Sequence, residues 1–142
     1  MLTVVEKVIL LQDIEQFKAI PTADLAYLAS IADVVDYSAD NVIFREGEYA
    51  DSMYTVVEGR VQLHRDGTEV MIAGYKDAFG TWALFDDEPR VVSATPLEDC
   101  RLLRIDKEDF LELLAENVQI TQGILRFFVH QIRGLMDRVN NR

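Results

Sequence analysis

A glycine and an arginine ten residues apart delimit the segment of this sequence that is best suited to chemistry. Gly80 precedes a short apolar stretch, and Arg90 follows a proline and three acidic residues. Glycine lets the backbone approach a ligand closely, free N–H groups of a turn attract an anion, and arginine can donate two hydrogen bonds to phosphate oxygens. Residues 79–90, named the cassette below, therefore predict a phosphate-binding segment. Spacing alone more often marks an ordinary turn beside a surface arginine.

Elsewhere the sequence has no pattern of a catalytic or metal site. His64 falls in a predicted strand and His130 in a predicted helix, and neither has a cysteine or carboxylate at ligand spacing. No serine, cysteine or lysine is accompanied by the base and orienting partner that a nucleophile needs. Cys100 lies among leucines and is expected to be a buried, inert thiol. We therefore expect no catalytic residue, no metal site and no enzyme activity.

The composition predicts one acidic domain. Its 142 residues, 49% of them hydrophobic, suffice for a single core. The 14 Lys and Arg residues against 25 Asp and Glu give a net charge of -11, which repels nucleic acids and anionic membrane surfaces. No apolar run approaches the roughly 18 residues that span a bilayer. We expect a cytoplasmic domain, or one on the cytoplasmic face of a membrane protein, with no nucleic-acid partner and no direct membrane insertion.

The elements that position the cassette begin with two predicted helices in residues 3–32. Apolar residues recur at helical spacing from Val4 to Leu11, and Pro21 opens the second helix. From about residue 33 to 105, stretches rich in Val, Ile, Tyr and Thr alternate with glycine-containing turns, which predicts the strands of a β-roll. The clearest hairpin turns at Asp66-Gly67, a pair that readily adopts positive φ angles. The Pro89-Arg90 pair is expected to open a strand.

Helices are predicted again in residues 106–140. Asp106 is placed as the N-cap of the first, and the last should run from about Val118 to Val139. Apolar residues of the last helix have the spacing of a packing seam. Helix packing on its own roll, a homodimer seam and a movable lid all remain open interpretations. The seam residues are Leu125, Phe128, Ile132, Leu135 and Val139.

The end of the chain is locally basic, because its only acidic residue from Asn117 onward is Asp137. The same segment contains four arginines, namely Arg126, Arg133, Arg138 and Arg142. Two interpretations are open. The segment could dock onto an acidic partner or a second subunit, or it could form a merely solvated face.

The order of four motifs along nearly the whole chain closely resembles the cyclic nucleotide-binding domain family. The motifs are NVIFREGE at 41–48, MYTVVEGRV at 53–61, the cassette, and LEDCRLLRI at 97–105. The resemblance implies a mainly β domain over residues 1–142, an antiparallel β-roll or jelly roll with N-terminal and C-terminal helices. It also implies a regulatory, signal-transducing function for a larger protein with an attached effector, and no cofactor besides cyclic AMP or cyclic GMP. The implied ligand-binding residues are Phe79, Gly80, Thr81, Trp82, Ala83, Leu84, Arg90, Val91 and Val92.

The cassette departs from the family pattern where the ligand would be held. Thr81 replaces the usual glutamate that binds the ribose 2′-hydroxyl, and Val91 and Val92 replace smaller residues. Losing the charged acceptor removes about 1.5 to 3 kcal/mol and losing a neutral hydroxyl about 1 kcal/mol more, which is on the order of a hundred- to a thousandfold in affinity. We predict weakened binding of cyclic nucleotide. The alternative is a degenerate, ligand-free roll that serves as a protein-interaction or structural module.

Trp82 is the only tryptophan and stands where the family generally has an aliphatic residue that faces the core. Because large aromatic side chains mostly serve burial, we predict core packing for Trp82. The alternative is that its ring occupies or reshapes the ligand pocket.

Overall fold

The computed structural model describes residues 1–140 and shows two antiparallel sheets between N-terminal and C-terminal helices. This architecture confirms the predicted fold class. Asn141 and Arg142 lie outside the described residues, so the part of the predicted domain and of the basic segment that falls on them is not described here.

Three short helical elements precede the sheets. Helix α1 (Val4–Leu11) begins with a capping box, in which the side chains of Thr3 and Glu6 each bind the backbone N–H of the other. A 3-10 helix (Glu15–Phe17) leads to α2 (Thr22–Ser30), which starts directly after a proline. Their apolar faces form one side of a core that lies between the helices and the larger sheet.

The seven strands found in residues 1–140 form a four-stranded sheet in the order β1-β7-β2-β5 and a three-stranded sheet in the order β4-β3-β6. A second apolar core fills the space inside the roll. The strands are β1 (Ala32–Tyr37), β2 (Ser52–Glu58), β3 (Val61–Arg65), β4 (Thr68–Ala73), β5 (Ala78–Phe79), β6 (Ser93–Pro96) and β7 (Cys100–Asp106).

Two local predictions for the β region have different outcomes. The hairpin of β3 and β4 is confirmed, with Asp66 at φ 51° and Gly67 at φ 78°. The expected strand start at Pro89-Arg90 is wrong, because β6 begins only at Ser93. The backbone of Arg90 instead makes two hydrogen bonds of 2.8 Å with Gly47 and Glu48, which hold it against the turn that precedes β2.

Two helices follow β7, namely α3 (Lys107–Glu116) and α4 (Val118–Asn140). Asp106 is the N-cap of α3 as predicted, but its side chain makes no capping hydrogen bond. Its carboxylate lies 3.1 Å from Nε of Arg104 and makes no hydrogen bond to the helix backbone. Since an ion pair occupies the carboxylate, α3 begins without a side-chain cap.

Helix α4 has a docked part and a projecting part. Up to Phe128 it packs on the 3-10 helix, α2 and α3, and Ile120, Gly123 and Ile124 are buried. Beyond that point, the described residues 129–140 are exposed apart from a half-buried Gly134. Of the three open interpretations, packing against the rest of the domain therefore describes the first part of α4, which lies on other helices and not on the strands of the roll. An exposed apolar row, named the distal stripe below, consists of Leu125, Val129, Ile132, Met136 and Val139.

Among the helices of residues 1–140, none combines the length and the apolar character needed to cross a bilayer.

Candidate functional site

Gly80 shapes the start of the cassette. It follows β5, has φ +69°, and is succeeded by a 3-10 helix (Thr81–Leu84) whose first hydrogen bond runs from the Ala83 N–H to the Gly80 carbonyl, 3.2 Å away. A Cβ atom at this position would lie 2.6 Å from Nη1 of Arg90. Both the left-handed backbone and the close approach of the arginine therefore require glycine here.

Arg90 is a buried cation, 6% exposed, so the surface-arginine interpretation is wrong. Its Nη2 donates to the Ser52 carbonyl at 2.7 Å, and its Nη1 donates to the Gly80 carbonyl at 3.4 Å. The guanidinium lies 3.9 Å from the ring centroid of Phe44, and the Asp51 carboxylate is 3.7 Å from Nη2. Strand β2 and the cassette thus fix the guanidinium in one position.

One donor of this guanidinium is unused. Nε of Arg90 is buried and has no hydrogen-bond partner within residues 1–140. Burial lowers the pKa of Arg90, while Tyr54, Asp51 and Glu48 favour its charged form. Because arginine keeps its proton at neutral pH, the site holds a permanent positive charge with a free N–H donor. Such a group is suited to binding an anion.

A cavity of about 680 Å³ lies beside Arg90 and is lined by most of the residues that the family resemblance implied. Leu84 is the exception, since it is 1% exposed and packs in the core between the helices and the sheet. The predicted residues that do line the cavity are Phe79, Gly80, Thr81, Trp82, Ala83, Arg90, Val91 and Val92.

Sequence reasoning missed the cavity residues that come from other elements. Gln16 belongs to the first 3-10 helix, Leu63 to β3, and Val70 and Met71 to β4. No spacing in the sequence connects these positions with the cassette, because only the closure of the roll brings them together. Phe44 also lines the cavity, and it could have been proposed from the sequence because it lies within the motif at 41–48.

Trp82 does not pack in the core, so the prediction of burial is wrong. Its side chain is 60% exposed and lines the cavity. The short 3-10 helix buries the next two residues, Ala83 and Leu84, and leaves Trp82 outside. The indole contacts Phe128 of α4, with ring centroids 6.4 Å apart.

The middle of the cassette contacts both C-terminal helices. The ring of Phe85 lies nearly perpendicular to Phe110 of α3 and Phe128 of α4, at centroid distances of 5.6 and 5.2 Å. Lys107, the first residue of α3, donates to the Asp86 carbonyl at 2.6 Å and pairs with the Asp87 carboxylate. This pairing raises the pKa of Lys107. The cassette and the helices are thus coupled by an apolar and a polar contact.

The acidic residues of the cassette are solvated. Asp86, Asp87 and Glu88 are all exposed, and Oδ1 of Asp86 accepts the Glu88 N–H at 3.2 Å. Asp86 and Glu88 line the cavity, whereas Asp87 does not. Their exposure weakens their effect on an anion in the cavity, since water screens the charge.

The other candidate residues form no second site. Nε2 of His64 lies 2.9 Å from the hydroxyl of Thr95, and Cys100 is buried as expected. Burial raises the pKa of the Cys100 thiol. Within residues 1–140 there is no group of three or more His, Cys, Asp or Glu side chains that could hold a metal ion.

Comparison with known proteins yields consistent matches. Residues 34–117 match the family described as cyclic nucleotide-binding domain. The CRP-like cAMP-activated global transcriptional regulator of Mycobacterium tuberculosis is 30% identical over 130 residues, and the match covers 88% of this chain and 56% of the regulator. The cAMP-dependent protein kinase regulatory subunit of Aspergillus niger is 28% identical over 107 residues, with 74% of this chain and 26% of the subunit covered.

A solved structure gives the same result for the fold. The N-terminal domain of a transcriptional regulator from Streptomyces coelicolor A3(2) superposes with a TM-score of 0.83 at 26% identity, covering 92% of this chain and 94% of that domain. In contrast, the chain spans about half the length of the mycobacterial regulator and about a quarter of the fungal subunit.

Proposed function

Because this chain belongs to the cyclic nucleotide-binding domain family, we propose that its cassette binds cyclic AMP or cyclic GMP with weakened affinity and transmits binding through α4. The observation that carries the proposal is Arg90, a buried cation beside a cavity of about 680 Å³, whose Nε–H has no hydrogen-bond partner within residues 1–140. A cyclic phosphate carries one negative charge and would supply the missing acceptor.

The contacts between the cassette and α4 support the transmission step. Trp82 lies in the 3-10 helix Thr81–Leu84 and Phe85 follows it directly, and both contact Phe128. A ligand that shifts the cassette must therefore change the packing of Phe128. A ligand can shift α4 only by as much as its affinities for the two arrangements differ.

The weakened affinity follows from the groups that surround the cavity. Thr81 is half-buried and offers a neutral hydroxyl where the family usually has a carboxylate, while Val91 and Val92 bring methyl groups to the phosphate side. A carboxylate that accepts from the ribose hydroxyl and a hydroxyl beside the phosphate are thereby lost, and Arg90 remains as the only charged group that favours phosphate among the described lining residues.

Calorimetric titration with cyclic AMP and cyclic GMP tests the proposal. We expect weak binding by the unaltered protein, and at least a tenfold loss in Arg90→Gln because a buried phosphate would lose its charge-assisted partner. Arg60→Gln is the matched control, since Arg60 is an exposed residue paired with Glu98 and remote from the cavity lining. If Arg90→Gln left the dissociation constant unchanged, the phosphate would have to bind at another place.

The second candidate function is a ligand-free interaction module. The observation that favours it is that Arg90 already donates to Ser52 and Gly80 and pairs with Asp51, so the roll is held together without a ligand. The triple variant Thr81→Glu, Val91→Ser, Val92→Ala discriminates the two. Binding recovered by roughly 2 to 4 kcal/mol supports a weakened site. No binding by either protein supports the interaction module.

We also propose that α4 mediates association with a second copy of this chain. The distal stripe alternates four- and three-residue steps, which is the spacing of a two-stranded coiled coil, and its side chains are exposed.

We further propose an attached effector in a larger protein, located in the cytoplasm or on the cytoplasmic face of a membrane, because the relatives named above are regulators of greater length.

A further inference from the structure

We infer that the cavity beside Arg90 takes a monoanion with an apolar or aromatic body and does not discriminate by sugar hydroxyls. The inference rests on the proposed function in that it concerns the same cassette and the same arginine. It goes further by naming the chemistry of the ligand that the surrounding residues favour.

The first observation is a group of exposed apolar side chains at one cavity. Val70 is 58% exposed, Met71 43%, Trp82 60% and Val91 63%. They come from β4, from the 3-10 helix and from the residue after the cassette, yet all four line the same space. Apolar side chains gathered from separate segments around one cavity are typical of a small-molecule site, and a volume of about 680 Å³ is within the usual range for such sites.

The second observation is that one cation serves this apolar cavity. Arg90 is the only lysine or arginine among its lining residues in the described part of the chain. Arg90 lines the cavity, its Nε–H has no hydrogen-bond partner among the described residues, and the residue as a whole is 6% exposed. A single buried charge favours a single negative charge on the ligand. The exposed carboxylates of Asp86 and Glu88, which also line the cavity, disfavour a second one.

The third observation is that the described lining offers no buried carboxylate to a sugar hydroxyl. Thr81 and Gln16 provide only neutral, half-buried acceptors, and the carboxylates of Asp86 and Glu88 are both exposed. A hydrogen bond made in contact with solvent replaces one made with water and contributes little net free energy. A ribose 2′-hydroxyl should therefore add almost nothing to affinity here.

Calorimetric titration of the unaltered protein with four probes tests this inference. The probes are cyclic AMP, 2′-deoxy cyclic AMP, 1-naphthalenesulfonate and its uncharged analogue 1-naphthalenesulfonamide. We expect the two nucleotides to bind within about threefold of each other, and the sulfonate to bind no more than about tenfold more weakly than cyclic AMP. We expect the sulfonamide to bind at least about tenfold more weakly than the sulfonate, because only the sulfonate can accept a charge-assisted bond from Arg90. Since all four probes are compared on one protein, the result does not depend on a variant that folds.

The outcomes separate this inference from the proposed function. Cyclic AMP that binds about tenfold or more tightly than its 2′-deoxy analogue would overturn the inference and leave the proposed function intact. Sulfonate binding without nucleotide binding would support the inference and overturn the proposed function. Equal binding of sulfonate and sulfonamide would overturn the requirement for an anion, and no binding by any probe would overturn both proposals. Thr81→Glu gives a positive control, because the added carboxylate should create a preference for cyclic AMP over the 2′-deoxy form.

Discussion

Gly80 and Arg90 are in such close contact that a single methyl group on the glycine would stand 2.6 Å from Nη1 of the arginine. Gly80→Ala should therefore both strain a backbone at φ +69° and displace the guanidinium. Gly67→Ala is the matched control, since Gly67 has φ +78° but nothing within 4 Å of the added atom. We expect Gly80→Ala to lower the free energy of unfolding by about 1 to 3 kcal/mol more than Gly67→Ala in urea titrations. Equal losses would show that Arg90 moves aside freely.

The docked part of α4 depends on a glycine at its contact with the first 3-10 helix region. A Cβ on Gly123 would lie 2.8 Å from Cγ1 of Ile20 and 3.1 Å from the Ala19 carbonyl, whereas one on Gly134 would meet nothing within 4 Å. Gly123→Ala should cost about 1 to 3 kcal/mol by overpacking. Gly134→Ala should be neutral, or stabilising by up to about 1 kcal/mol through helix propensity. Thermal unfolding of both variants checks this, and a neutral Gly123→Ala would mean that α4 is not docked as described.

The distal stripe predicts a dimer that one substitution breaks. In sedimentation experiments the unaltered chain should associate, and Ile132→Glu should weaken association at least tenfold because it buries a charge in an apolar seam. Gln131→Glu adds the same charge to an exposed neighbour outside the stripe and should leave association unchanged. A monomeric unaltered chain, or equal effects of the two substitutions, would contradict the proposed association.

Lys107 should contribute measurably to stability through its contacts with the cassette. Lys107→Met leaves the Asp86 carbonyl and the Asp87 carboxylate without their donor, and we expect a loss of about 1 to 3 kcal/mol in the free energy of unfolding. Lys76→Met removes a more exposed ion pair, with Asp13 at 3.7 Å, and should cost less than about 1 kcal/mol. Urea titration of the two variants gives the comparison, and similar losses would show that the Lys107 contacts are no stronger than an ordinary surface pair.

Alkaline conditions should destabilise the domain through Tyr37. Burial, and next the neighbouring Tyr54 hydroxyl, raise the pKa of Tyr37 from 10.0 to about 12. Because the folded state holds this proton more tightly than the unfolded state, the stabilisation is fully present below pH 10 and is lost as the pH rises through about 12. The free energy of unfolding should thus fall more steeply over this range in the unaltered protein than in Tyr37→Phe. Tyr27→Phe, at a position 53% exposed, should keep the steep fall.

The sequence was most informative where a local pattern decides the structure. The helical spacing from Val4 to Leu11 and the Asp66-Gly67 turn each depend on neighbours along the chain, and both predictions are confirmed. Trp82 was mispredicted because a four-residue 3-10 helix is too short for an apolar period to indicate which side is buried.

The candidate site was only partly accessible to sequence reasoning. The conformation of Gly80 and the cation at Arg90 follow from the cassette itself. Ser52, which fixes the guanidinium, lies 38 positions from Arg90 along the chain and was not predicted. Lys107 was missed for a similar reason, because its contact with Asp86 forms only when α3 packs against the cassette. The resemblance indicated where the ligand segment lies, but the partners of that segment come from the closure of the fold.

The division of α4 at Phe128 has a mechanical consequence. The projecting residues 129–140 form a helical arm about 18 Å long, at about 1.5 Å per residue. A tilt of about 20° at Phe128 would swing its tip through roughly 6 Å, whereas the rings at the pivot would move by much less. If a ligand tilted α4 by this angle through Trp82, the tip of the helix would therefore move several times farther than the indole.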